Sequence, residues 1–167
     1  MVISIYSFGF LVAFIITKSY RYFGRYYSSV HYVACLSILY TLVCRGYPLW
    51  SFRPWWIVTD KVSQLIQFAI LFPCTTVLFL RYIPRHTRHR ILHFLGFSGL
   101  YVLLEWLLVN RHEIIYSHGW NFSWLVVIDI LLFTLTWIHM KSWKIAVLMS
   151  VCIVLFLIMW FRVPLSG

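Results

Sequence analysis

The chain has 167 residues, 62% of them hydrophobic and only 11% charged, with a formal net charge of +10 and a mean hydropathy of +0.85. A soluble domain carries about 25% charged residues, so a water-soluble globular protein is excluded. Nucleic-acid binding is excluded with it, because the basic residues cap apolar segments and do not decorate a soluble fold.

Six apolar segments follow one another at residues 2–17, 29–44, 62–80, 91–109, 122–138 and 145–161. Each is at or just below the roughly 17–25 helical residues that cross a hydrocarbon core about 30 Å thick. They predict an all-α polytopic membrane protein, a single transmembrane domain over residues 1–167 built as a bundle of about six helices with short loops. The first segment lacks a basic leader and a small-x-small site before Lys18, so it is expected to stay as an uncleaved span. The first and last segments hold no ionisable residue and predict a lipid-facing scaffold.

Basic residues divide unevenly between the two sets of joints. Lys18, Arg21, Arg25, Arg81, Arg85, Arg88, Arg90, Lys141 and Lys144 lie on one side; Arg45, Arg53, Lys61, Arg111 and Arg162 lie on the other. The positive-inside bias assigns the first set to the cytoplasm and both termini to the outside. Arg85, Arg88 and Arg90 are expected to meet anionic lipid headgroups. His86, His89 and His93 share that joint at helical spacing, but the surrounding arginines repel a cation and no carboxylate assists, so no metal site is assigned.

The outer loop after the second segment, with Tyr47, Trp50, Phe52, Trp55 and Trp56, predicts an interfacial aromatic belt. In the third segment Pro73 removes a backbone donor and crowds the carbonyl four residues back, so a kink is expected near residues 69–73. Thr75 and Thr76 can cover the freed carbonyls. Gln64, Gln67 and Cys74 form a polar stripe on that helix. On the fourth segment Ser98, Tyr101, Glu105 and, beyond its end, His112 share one stripe, as do Asp129 and Thr136 on the fifth. The four cysteines show no CxxC spacing and read as free apolar thiols.

Glu105 and Asp129 stand out, because the chain has only four acids and two fall inside spans. A carboxylate at a helix centre costs a few kcal/mol on insertion scales, so it points inward toward a partner or a function. At 1.5 Å rise per residue both lie roughly 8–12 Å beneath the outer surface, on consecutive helices that short loops make neighbours. They are expected to share one outward-opening polar pocket. The alternative is that each is a neutral, hydrogen-bonded acid tying helices together. The loop above them supplies Arg111, His112, Glu113, Tyr116, Ser117, His118, Gly119, Trp120 and Asn121. His112-Glu113 opens like a zinc-protease motif, but Tyr116 occupies the second histidine position and the motif fails. Gly119 suits a turn and Asn121 an N-cap for the fifth helix.

Several stretches carry a family resemblance: Tyr47-Pro48-Leu49-Trp50 with Phe52, Phe72-Pro73-Cys74-Thr75, Leu80-Arg81-Tyr82-Ile83-Pro84 and Glu105-Trp106. Tyr116-Ser117-His118-Gly119-Trp120-Asn121 with Trp124, His139 with Lys141, and Phe161-Arg162-Val163-Pro164 add to it. On these residues the chain resembles an uncharacterised family of small multi-span membrane proteins of spore-forming Bacillus-like and Clostridium-like bacteria. The resemblance covers about two thirds of the chain, from Tyr47 onward. It departs from the family at Asp129, where the family has asparagine, and in the second span, where an acid of the family is missing. It implies a multi-pass protein of the bacterial cell membrane and no particular reaction.

The leading expectation is a non-enzymatic membrane component whose outward-facing polar pocket binds a small ligand, a lipid headgroup or a partner protein. Glu105, Asp129, Tyr101, His112, Tyr116, His118, Trp120 and Asn121 are its candidate residues. Proton-coupled transport through Glu105 is one alternative. A membrane-embedded lipid-modifying enzyme using Glu105, His112 or His118 as acid–base is another, though no nucleophile motif supports it. No catalytic residue, cofactor or metal ligand is assigned. The expected partners are the bilayer and either another membrane protein or a second copy of the chain.

Overall fold

In the computed structural model, which describes residues 2–53 and 59–164, the chain is a helical bundle with one small two-stranded antiparallel sheet whose strands come from distant segments and which is called the hairpin for its shape alone. The elements are α1 (Val2–Ile16), α2 (Phe23–Val43), β1 (Trp50–Phe52), α3 (Asp60–Ile66) and α4 (Phe72–Arg81). They continue with α5 (Thr87–Asn110), β2 (Ile114–Tyr116), α6 (Phe122–Lys141) and α7 (Trp143–Phe161). Trp55 and Trp56 of the expected aromatic belt lie outside the described residues.

Four helical stretches are each long and apolar enough to cross a membrane: Asp60–Arg81, Thr87–Asn110, Phe122–Lys141 and Trp143–Phe161. The first two apolar segments differ from that pattern. They reach the threshold only together, as a pair bent by 80° between Val2–Ile16 and Ser19–Val43. The bend has a local cause. Lys18 takes a left-handed φ of 53°, and the Thr17 hydroxyl donates back to the Ala13 carbonyl at 2.7 Å, closing the last turn of α1. Two helices start before their apolar runs: α2 begins at Phe23 and α5 at Thr87.

Proline 73 acts as its chemistry requires. The helix relaxes into a π segment, Gln67–Leu71, immediately before it. Thr75 Oγ1 donates to the Leu71 carbonyl at 2.7 Å and approaches that of Phe72 at 3.2 Å. The carbonyl that Pro73 leaves without its donor is four or five residues back, at Ala69 or Phe68, so the Thr75 hydroxyl serves the following turn and does not cover it as the sequence suggested.

Contacts between helix ends and loops gather at two places. At one end β1 and β2 pair antiparallel, with Trp50 opposite Tyr116, Ser51 opposite Ile115 and Phe52 opposite Ile114. Val2 N at the start of α1 donates to Glu113 Oε2 at 2.8 Å, and Phe52 N donates to Asp60 Oδ1 at 2.8 Å. Phe161 at the end of α7 packs on Trp120, rings 5.2 Å apart. At the opposite end Arg81 donates to the Thr17 carbonyl and to Ser19 Oγ, and Ser29 Oγ hydrogen-bonds His139 Nδ1 at 3.1 Å. We call these the hairpin end and the turn end.

The centre belongs to α4, whose residues Cys74 to Leu80 are all buried. Phe79 is fully enclosed, with the rings of Phe94 and Phe133 each 4.9 Å away and His93 at 5.2 Å. By contrast α7 exposes Ile145, Leu148, Val151, Leu155, Met159 and Trp160. Apolar side chains turned outward along a span-length helix suit lipid and not water. The four cysteines are free thiols, Cys44 and Cys74 buried, Cys35 and Cys152 exposed.

One polar device ties helices twice. The Thr75 hydroxyl hydrogen is committed to a carbonyl, so in the 2.7 Å contact with Tyr101 Oη the tyrosine must donate. Ser150 Oγ likewise donates to the Ala146 carbonyl at 2.8 Å and accepts from Tyr32. These links fasten α5 to α4 and α2 to α7 without leaving a buried hydroxyl unpaired.

Candidate functional site beneath the hairpin

Below the hairpin lies a cavity of about 220 Å³, bordered by α2, α5, α6, α7 and the π segment. Its walls are mostly aliphatic, including Val33, Leu36, Ile128, Leu132 and Leu157. Both acids border it, Glu105 from α5 beside Tyr101 and Asp129 from α6, with Gln67 from the π segment and Trp120 from the loop; Ser37 and Tyr40 of α2 and Ser150 of α7 add hydroxyls to the other walls. Tyr101 and Glu105 are one helical turn apart, which is why they share a face. Asp129 lies on the face of α6 that meets α5, and only 5% of it is exposed. Glu105 is partly accessible because it borders the cavity.

The two carboxyl groups lie within electrostatic reach of each other. Two buried carboxyls that close resist ionising together. Glu105 Oε2 and Asp129 Oδ2 are buried and have no hydrogen-bond partner. Two donors nearby are also buried and unpaired, Tyr116 Oη and Trp120 Nε1. Tyr116 stands on β2, outside the helices. Burial, and then the Glu105 and Asp129 carboxyls, push its phenol up from an ordinary 10.0 to about 12. The carboxyls therefore lie within electrostatic reach of the hairpin.

Four of the residues singled out from sequence thus border one cavity: Glu105, Asp129, Tyr101 and Trp120. Tyr116 stands above them. The other three are placed elsewhere. His112 is exposed in a left-handed turn at φ 54°, closing the end of α5. His118 is exposed and stacks on Tyr47 with ring centres 3.5 Å apart. Asn121 caps α6, its Oδ1 accepting from Ser123 N at 3.0 Å and Trp124 N at 3.3 Å. Gly119 takes the turn conformation at φ 81°.

Sequence reasoning did not find the cavity walls from α2 and α7, nor Tyr40. The Tyr40 hydroxyl donates to the Trp50 carbonyl at 2.9 Å and accepts from Trp50 N at 3.0 Å, fastening β1 over the cavity. Alternating aromatic residues at Trp50 and Phe52 were the available signal for that strand.

The turn end is built differently. Every cation–π contact among the described residues lies there. Lys141 and Arg90 flank the Trp137 ring at 4.1 and 5.2 Å, and Arg81 lies over Tyr22 at 4.4 Å. Arg85 and Arg88 are exposed. His86 and His89 stay 6.2 Å apart, while His93 turns inward to the Phe79 carbonyl at 2.9 Å. Among the described residues no group of three metal-ligating side chains converges.

Span-length apolar helices and an internal cavity bordered by two acids define the class, a helical protein suited to a membrane. No protein-family model, curated protein or solved structure matches the chain. Its chemistry is therefore argued from its own geometry.

Proposed function

We propose that the chain is a multi-pass protein of a bacterial cell membrane that crosses the bilayer six times and binds a small ligand beneath its hairpin, without catalysing a reaction. One observation carries the binding reading: two acids sit together beside a mainly apolar space, each with a buried oxygen that has no hydrogen-bond partner. A purely structural acid pair would be sealed by packing, since an unsatisfied polar atom costs about 1–3 kcal/mol. The gathering of helix ends and loops at two places supports six crossings. The basic excess at the turn end supports a cytoplasmic position for it, with both termini outside and Arg85, Arg88 and Arg90 at lipid headgroups.

Ile128→Trp fills the cavity, whereas Ile130→Trp changes only the exposed face of α6. A small molecule that co-purifies with the wild type and with Ile130→Trp, read by mass spectrometry of a solvent extract, should be lost from Ile128→Trp. Recovery of the same molecules from both variants would overturn the reading. For orientation, a cysteine at Gly167 should react with an impermeant maleimide on intact cells; reaction only after the membrane is opened reverses the topology.

Transport is the second reading, supported by the π segment whose Gln67 borders the cavity. π segments occur often at functional sites. Glu105→Gln should then abolish ligand movement across vesicles even at ligand concentrations that saturate the variant.

A further inference from the structure

The polar groups of the cavity specify the charge of what it takes. The chain holds 14 basic residues and only four acids. None of the lysines, arginines or histidines borders the cavity, while two of the four acids do. Among the bordering hydroxyls Tyr101 has committed its proton to Thr75, Tyr40 to the Trp50 carbonyl and Ser150 to the Ala146 carbonyl. The Gln67 amide, the Ser37 hydroxyl and Trp120 Nε1 border the space as neutral donors, none of them a cation. Two neighbouring buried carboxyls resist ionising together, so the pair carries at most one negative charge near neutral pH. No cation of the protein lies beside it to balance that charge. An anionic headgroup would meet repulsion and no basic side chain. The remaining walls are mostly aliphatic and exclude a hydrated ion.

We infer that the pocket takes a small monocationic amphiphile, its protonated amine against the Glu105–Asp129 pair and its apolar body between α2, α6 and α7. The inference rests on the ligand-binding reading above and names its ligand class. An apolar cavity of about 150 Å³ admits benzene; the space here, about 220 Å³, admits an apolar body of roughly eight to ten heavy atoms. The indole N–H of Trp120 is left to orient a hydroxyl or ether oxygen on the same ligand.

Three probes of one length separate the possibilities: n-octylamine, protonated at neutral pH, 1-octanol and octanoate. Each is titrated into the protein in nanodiscs of zwitterionic lipid, with the melting temperature as readout. Ile128→Trp, titrated in parallel, corrects for partition into lipid. Octylammonium should bind the wild type at least about tenfold more tightly than octanol, as a charge-assisted hydrogen bond supplies, with octanoate weakest. Glu105→Gln and Asp129→Asn should each bring octylammonium and octanol to within about twofold of each other while octanol still binds; because the two substitutions lie on different helices, one that fails to fold leaves the other to decide. Equal affinity of octylammonium and octanol for the wild type, with both lost in Ile128→Trp, would overturn the cation and leave the pocket standing. No difference between wild type and Ile128→Trp for any probe would remove the pocket and this inference together.

Discussion

The two ends of the bundle differ in charge and in packing. The turn end carries nine basic residues and no acid, and several of its cations lie on aromatic rings. The hairpin half holds all four acids, Asp60, Glu105, Glu113 and Asp129, with a cavity beneath its strands. Near the turn end the aromatic cluster around Phe79 leaves no space. Near the hairpin buried polar atoms stay unpaired. The contrast teaches where a small membrane bundle keeps stability and where it keeps a site: tight packing and satisfied groups at one end, unsatisfied groups beside a void at the other.

Packing gives the largest test of that contrast. Phe79→Ala should lower stability by about 3–5 kcal/mol, the range for a buried aromatic. Ile128→Ala, which enlarges an existing space, should cost about 1–2 kcal/mol. Thermal melting in one detergent compares the two, and equal losses would break the distinction. Next in size is Arg81, which holds the Thr17 carbonyl and Ser19 and covers Tyr22 and Tyr82. Arg81→Ala should cost about 1.5–3 kcal/mol, as loss of hydrogen bonds from a charged donor does. It should also expose α1 to proteolysis near Lys18 before the rest of the chain.

At the hairpin end the cap of α6 is worth less. Asn121→Ala should cost about 1 kcal/mol, and Asn121→Ser should restore most of it. A ligand-contact role for Asn121 would instead show as lost binding with unchanged melting. The smallest effect is a pH dependence. The folded chain holds the Tyr116 proton to about 12, against 10.0 for a free phenol. The unfolded chain therefore releases that proton first, so Tyr116 contributes stability that falls as pH rises through this window. Tyr116→Phe should flatten the wild-type decline between those values. An identical decline in both would place Tyr116 in water, away from the acids.

The candidate site was partly legible. Equal depth of Glu105 and Asp129 on consecutive helices was enough to bring them together, because helical rise and a short connection leave little freedom. An irregular turn before Pro73, seen as the π segment, and the cap at Asn121 were legible for the same reason: each is settled within one helical turn. His112, His118 and Asn121 sit outside the cavity because turn geometry, stacking and capping already employ them. The hairpin was missed because three-residue strands carry almost no periodic signal, and β1 and β2 are brought together only by the helices between them.

By itself the sequence determined the helical class, four apolar helices long enough for a membrane, and the place of each acid along its helix. Those follow from composition and from the fixed rise of a helix, which are local. Tertiary structure alone decided that α1 and α2 meet at 80°, that α4 occupies the centre, and that α2 and α7 wall a cavity beside the acids. Helices of similar hydropathy can pack in many orders, since lipid competes equally for all their apolar faces. What selects one order is long-range and specific: tyrosines reaching hydroxyls on other helices, Arg81 closing one end, and two strands pairing across the other.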